Sequence, residues 1–205
     1  MPDALPAKNM RMEMAMKRCE SCGHASLIWN PKTQLHHCFS PDCLATYEES
    51  VPPNGHQDVI VYTCGCFDPL TANHVRLLNV AAGYGSVIVG VNNDASVRAL
   101  KGEGRPLQGF PDRREVLLSL KSVRAVVEQG RDAVANLTAI RPSYFIKGGY
   151  VDRDVTEDEY REGIRRLSPD ERDTCNAIGC EVILVPRFPG KSSSEIIRLL
   201  LRESR

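Results

Sequence analysis

From Asp58 onward the chain alternates short apolar runs with stretches of helical period, and no other feature narrows its folding choices so far. The apolar runs at 59–64, 86–91, 124–128, 143–147 and 181–186 have the length and β-branched content of buried strands. Between and after them, helical spacing covers about 74–83, 94–100, 111–121, 131–140 and 193–203. Strands separated by helices predict an α/β fold, a doubly wound parallel sheet joined by right-handed crossovers. The polar run "TEDEYREGIRRLSPDERDTCNAIG" adds one or two helices before the last strand. Thr156 and Glu159 are spaced there as a capping box and Gly179 as a helix stop, and the run reads as a surface insertion.

Residues before Asp58 follow other rules. Four of the eight cysteines crowd into residues 19–43, which favours a metal over a disulfide scaffold. Cys19 and Cys22, with Cys38 and Cys43, offer four thiolates from two turns, a set suited to structural tetrahedral Zn2+, with His24, His36 and His37 as alternates. "SLIW", a turn at "NPKT" and "QLHHCF" read as the hairpin carrying these ligands. The expected organisation is an arm at 1–16, a zinc-ribbon-like module at 17–48, a linker at 49–57 and one domain at 58–205. Cys64, Cys66, Cys175 and Cys180 read as packed thiols.

In an open parallel sheet, ligands bind beyond the carboxyl ends of the strands, where helix N-termini face a crevice. "GCFDPLTANH" follows the domain's first strand and sits at such a place. Gly65 admits a phosphate to the backbone, Thr71 offers a hydroxyl, and His74 lies one turn beyond Thr71 on the same helix face. "RFPGKSSSEII" repeats the chemistry before the last helix. Ser192 and Glu195 are spaced as a capping box, Ser193 and Ser194 fill the first turn, and Arg187 adds a permanent charge. Lys101 precedes a Gly-rich loop and Asp94 opens a helix, as a cap or as a ligand to Mg2+ or acceptor. Arg113 and Arg114 begin a helix whose apolar face is expected at Val116, Leu117 and Leu120, so that one guanidinium reaches the crevice and the other stays in solvent.

These pieces resemble the nucleotidyltransferase superfamily marked by G-x-F-D-x-x-(H/T)-x-G-H. "NNDAS", "LKGEGRP", "DRREVLLSL", "IKGGY" and "RFPGKSSSEII" follow "GCFDPLTANH" in that superfamily's order. The subfamily most similar is the adenylyltransferase half of ADP-heptose synthase. The resemblance implies a Rossmann-like domain that transfers AMP, or CMP, from ATP or CTP with Mg2+ to a small phosphorylated sugar or polyol, releasing pyrophosphate. It implies that Thr71, His74 and Lys101 act on the triphosphate, His74 as a donor to the departing oxygens. It also implies that Gly65, Phe67, Asp68, Asp94, Lys147, Gly148, Arg187, Ser192, Ser193 and Ser194 bind nucleotide or acceptor. Two departures stand out: Asn73 replaces the Gly before the second His, and the K-G-G-D-Y pattern lacks its Asp, which Asp152 or Asp154 would have to restore.

Composition weighs against other classes. The 26 basic and 26 acidic residues cancel, so no global field draws nucleic acid. Residues 1–50 carry five basic side chains (Lys8, Arg11, Lys17, Arg18, Lys32) against six acidic ones, no basic patch for a nucleic-acid-binding adaptor built on a degenerate nucleotide domain. No apolar run approaches the roughly 20 residues that span a bilayer, and a soluble, cytoplasmic enzyme is expected, with homodimerisation compatible.

Overall fold

The computed structural model describes residues 27–30, 35–38, 59–149, 156–186, 188 and 190–203. Two short strands, β1 (Leu27–Asn30) and β2 (Leu35–Cys38), pair antiparallel with Leu27 opposite Cys38, in keeping with the expected hairpin. Cys19, Cys22 and Cys43 lie outside the described residues, as do Arg187, Tyr150, Asp152 and Asp154.

The domain is a five-stranded parallel sheet of β3 (Ile60–Gly65), β4 (Ser86–Asn92), β5 (Ala125–Gln129), β6 (Tyr144–Gly148) and β7 (Glu181–Val185) in the order β5-β4-β3-β6-β7. Among the described residues seven helices accompany it: α1 (Ala72–Tyr84), α2 (Asp94–Lys101), α3 (Phe110–Leu118), α4 (Val134–Ile140), α5 (Glu157–Arg165), α6 (Pro169–Ile178) and α7 (Ser193–Glu203). The order reverses between β3 and β6, and a doubly wound sheet opens its crevice beyond the carboxyl ends at that reversal.

Successive strand residues face opposite layers. Val61, Val87, Val89, Val91, Ile146, Ile183 and Val185 pack with Leu78 and Ala81 of α1 and Leu117 of α3. Tyr62 and Phe145 point the other way, against Ala133, Leu137 of α4 and Cys175 of α6. The run before β7 is therefore not a surface insertion. Its helices supply the second layer: Cys175 and Leu167 are buried, and the Tyr160 hydroxyl accepts from the Leu184 amide at 2.9 Å. The capping box predicted there forms, with Glu159 Oε2 accepting from the Thr156 amide at 2.8 Å, and Gly179 ends α6 at φ 71°.

Gly90 shows how tight the second layer is. A Cβ on it would fall on the Tyr62 hydroxyl and come within 2.7 Å of Gln129 Oε1; the hydroxyl already donates to that oxygen and accepts from Asn136 Nδ2. Overpacking of this kind costs about 1–3 kcal/mol. We expect Gly90→Ala to lower the midpoint of thermal unfolding, followed by circular dichroism, by roughly 2–4 °C per kcal/mol for a domain of this size.

Candidate active site

The turn leaving β3 is built around two unusual constraints. Phe67 takes the left-handed region at φ 50°, which a bulky side chain seldom does, and its ring is 3% exposed. Asp68, buried beside it, accepts from Arg105 Nε at 2.7 Å, from Leu107 N at 2.9 Å and from Gln108 N at 3.0 Å. Arg105 also donates to the Asp68 carbonyl. The Asp68 carboxylate is thus spent on holding the 105–108 loop over the turn and is not free to meet a ligand, as the motif suggested.

Thr71 caps α1 from an extended conformation, and its carbonyl accepts from Val75 N. His74, at the third helical position, reaches back: its Nδ1 accepts from the Thr71 amide at 3.1 Å and lies 3.2 Å from the Thr71 hydroxyl. An amide that donates to Nδ1 leaves the ring proton on Nε2 of a neutral imidazole. Burial favours that neutral form and pushes the His74 pKa down to about 4. The ring also lies tilted against Phe67, centroids 5.0 Å apart. The helix cap and the donor are therefore one side chain: capping occupies Nδ1 and fixes Nε2–H as a hydrogen-bond donor that holds no charge at neutral pH.

The second serine-rich turn meets the first. Ser192 caps α7 through the predicted box, its amide donating to Glu195 Oε2 at 2.7 Å and its Oγ accepting from Glu195 N at 3.3 Å. Ser193 Oγ donates to the Pro69 carbonyl at 2.8 Å. Asn73, the first departure from the motif, lies on this seam: its Oδ1 accepts from Arg76 and a Cβ on Gly190 would sit 3.7 Å from it. Two helix N-termini, those of α1 and α7, thus open side by side. Helix N-termini carry free amides and partial positive charge, which is where a polyphosphate is held.

Cations gather on the other flank. Burial pushes the Cys66 thiol up, and Lys101, Arg113 and Arg105, in that order, oppose the shift, so all three charges bear on the turn. Lys101 ends α2 in the open. Asn93, not Asp94, caps α2, accepting from Ser96 N at 2.9 Å, while Asp94 pairs with Arg113 at 2.7 Å. In α3, Arg113 is buried and Arg114 exposed, the expected division. Val116 is corrected: it faces solvent, because Arg113 takes the inward position one turn before Leu117.

Lys147 does not join this group. It lies on the opposite face of the sheet from α1, its Nζ 3.5 Å from both Cys64 Sγ and Glu171 Oε1 and 4.9 Å from the Phe145 ring centroid. Gly148 lies on the α1 side, where a Cβ would press on Leu77 at 3.1 Å, so close packing accounts for this glycine. Gly65 likewise sits under the Phe67 ring, 3.4 Å from an added Cβ. Cys175 and Cys180 are buried, as packed thiols should be, and the Cys180 amide donates to the Cys175 carbonyl at 2.9 Å across the α6 stop.

Among the described residues no group of three or more His, Cys, Asp or Glu could hold a metal, and the carboxylates nearest the turn are committed to Arg105 and Arg113. Asp68 is closed to solvent and Asp94 gives one oxygen to Arg113, so these two carboxylates do not by themselves make a Mg2+ site. No helix among the described residues is long and apolar enough to cross a membrane.

Comparison with known proteins agrees with this geometry. The cytidylyltransferase-like family model matches residues 62–199, and the chain belongs to that family of nucleotidyltransferases. The bifunctional protein HldE of Methylobacillus flagellatus is 41% identical over 143 residues, 69% of this chain and 27% of that protein. HldE of Geobacter sulfurreducens is 37% identical over 145 residues, 70% of this chain and 27% of its own length. HldE of Aliarcobacter butzleri is 35% identical over 159 residues, 74% and 33% of the two chains. The chain spans about a quarter to a third of the length of these relatives. A looser likeness, at 19% identity and a TM-score of 0.48, links 64% of this chain to 98% of the lipopolysaccharide core biosynthesis protein from Thermoplasma volcanium.

Proposed function

We infer that the domain transfers a nucleotidyl group, AMP in preference to CMP, from a nucleoside triphosphate to a small phosphorylated sugar or polyol. The observation that carries this reading is the Ser193–Pro69 hydrogen bond, which joins two helix N-termini into one place for a polyphosphate. In the reaction an acceptor phosphate oxygen attacks the α-phosphorus, the bond from that phosphorus to the bridging oxygen breaks, and the electron pair leaves on pyrophosphate. Such transfer demands positioning and charge neutralisation more than covalent help from the protein. His74 Nε2–H donates to the departing oxygens; Thr71, Ser192, Ser193, Ser194 and the amides around them hold the phosphates; Lys101 and Arg187 add charge. Mg2+ arriving with the triphosphate supplies further neutralisation. The ADP-heptose-type motifs and the HldE relatives support adenylyl transfer to a sugar phosphate.

The test is a pyrophosphate-release screen of the four nucleoside triphosphates against sugar and alcohol phosphates. ATP with a sugar phosphate should give the highest kcat/KM. CTP with an alcohol phosphate as the best pair would move the chain to the cytidylyltransferases. Salt-sensitive retention of DNA or RNA on filters with no pyrophosphate released from any pair would identify an adaptor instead.

For the amino-terminal segment the reading is a structural zinc module on Cys19, Cys22, Cys38 and Cys43. The hairpin register supports it, because pairing with Leu27 puts Cys38 at the open end of the hairpin. Elemental analysis should find one zinc per wild-type chain and none in Cys19→Ser/Cys22→Ser.

A further inference from the structure

Arg113 stands out as a cation that the proposed chemistry does not use. Its guanidinium is inaccessible to solvent, yet it faces one carboxylate and two carbonyls: Asp94 Oδ1 at 2.7 Å, Cys66 O at 2.7 Å and Gln108 O at 2.9 Å. A buried charge is costly unless paired and fully hydrogen-bonded, and a hydrophobic residue at this helical position would stabilise the core as well. The three partners belong to three separate segments that surround the proposed cradle: the turn after β3, the end of the 102–108 loop and the first turn of α2. Only a planar fork of several donors can meet all three from one position.

The contact with Cys66 matters most. In a trans peptide the carbonyl and the following N–H point in opposite directions, so holding Cys66 O fixes the peptide plane that enters Phe67. Phe67 is the residue at φ 50°. A bulky residue in that region costs on the order of 1–3 kcal/mol and persists only where its surroundings over-determine it. Here Arg113 holds the peptide before it and Asp68, clamped to the 105–108 loop, holds the residue after it. The Phe67 ring then lies against His74. A side chain 39 positions further along the chain than His74 therefore governs how the imidazole is presented.

We propose that Arg113 is a positioning residue of this site, setting the left-handed Phe67 turn and the imidazole packed on it before any nucleotide arrives. The inference rests on the reading of that turn as a polyphosphate cradle. It makes Arg113 a determinant of nucleotide affinity without direct contact with substrate, and it requires the guanidinium shape rather than the charge alone.

Three variants test it: Arg113→Lys, Arg113→Met and, as a control for charge on the same helix, Arg114→Met, whose side chain is exposed. Binding of inorganic pyrophosphate is measured by calorimetry at a temperature where circular dichroism shows each variant folded, and KM and kcat are measured with the best substrate pair. Hydrogen bonds to a charged group predict that Arg113→Lys weakens pyrophosphate binding about ten-fold or more, with KM for the nucleotide rising in parallel, while Arg114→Met stays within about two-fold of wild type. A lower melting temperature in Arg113→Lys with unchanged pyrophosphate affinity and unchanged KM would mean a purely structural arginine and overturn the proposal. An Arg113→Lys variant indistinguishable from wild type beside an impaired Arg113→Met would show that charge suffices, which also overturns it. Wild-type protein that binds pyrophosphate but transfers no nucleotide would sink the proposed reaction and leave the positioning role standing on the calorimetry.

Discussion

Replacing His74 by Ala should lower kcat about 100- to 1,000-fold, the effect of removing one preorganised donor from a site where charge develops on departing oxygens. The variant keeps most of its stability, because Thr71 retains the extended conformation that starts α1 and the Val75 amide still has the Thr71 carbonyl. His74→Gln should recover part of the loss, since an amide side chain can offer a donor without matching the imidazole's reach. Nucleotide KM should move far less than kcat, the signature of an interaction made mainly in the transition state. Pyrophosphate release under saturating nucleotide measures this directly; a kcat for His74→Ala within three-fold of wild type would remove His74 from the mechanism.

The same geometry makes a statement about pH. Because burial pushes the His74 pKa down to about 4, against about 6.5 for an unperturbed histidine, the neutral donor persists well into acid. The acid limb of kcat/KM, which reports groups in the free enzyme, should therefore fall below about pH 5 and not near 6.5. Stability follows the same group. Between about pH 4 and 6.5 the unfolded chain binds a proton at His74 that the folded chain refuses, so unfolding becomes harder as pH rises through that window and this contribution is complete above it. His74→Gln should flatten that part of the stability profile in denaturant titrations.

The sheet was legible because its central strands β3, β4 and β6 are largely buried on both faces and so leave continuous apolar runs, as at "DVIVYTC" before the turn. The pairing of Ser192 with Glu195 and of Thr156 with Glu159 was legible because capping depends on residues three apart. What spacing could not reveal were contacts between segments far apart in sequence. Asp68 resembles a motif residue aimed at ligand, and only the fold brings residues 105–108 onto it. Lys147 stands near the carboxyl end of β6 just as a crevice residue would, but strand parity sends its side chain to the opposite face, toward Glu171. Arg113 carried a signal, a charged residue at a helical position in phase with Leu117 one turn later. Hydrophobic periodicity weighed Val116 above it because the rule scores an arginine as surface.

The Asp68 clamp carries the second large effect. Its carboxyl is closed to solvent and neutralises Arg105, whose own side chain is 12% exposed, while the Leu107 and Gln108 amides complete its lone pairs. Asp68→Asn keeps the size but removes the charge, and it turns an NH2 toward groups that are themselves donors. Breaking a buried ion pair from one side leaves the other charge stranded, at a cost of about 3–5 kcal/mol when no relief is available. Relief is available here, because Gly102 and Gly104 occupy the left-handed region at φ 91° and 83° with open space around them, so the loop can swing away and return Arg105 to water. The free energy should accordingly appear as local opening more than as global unfolding. We expect hydrogen exchange in Asp68→Asn to accelerate across residues 102–108 while the amides of β3 and β4 remain protected. Nucleotide KM should rise together with that exchange, since the departing loop takes Arg105 away from the turn and removes the Gln108 carbonyl from Arg113. If instead exchange stays slow across the loop and KM holds, the 105–108 segment is kept in place by something other than Asp68, and the strained Phe67 turn must be sustained from the Arg113 side alone.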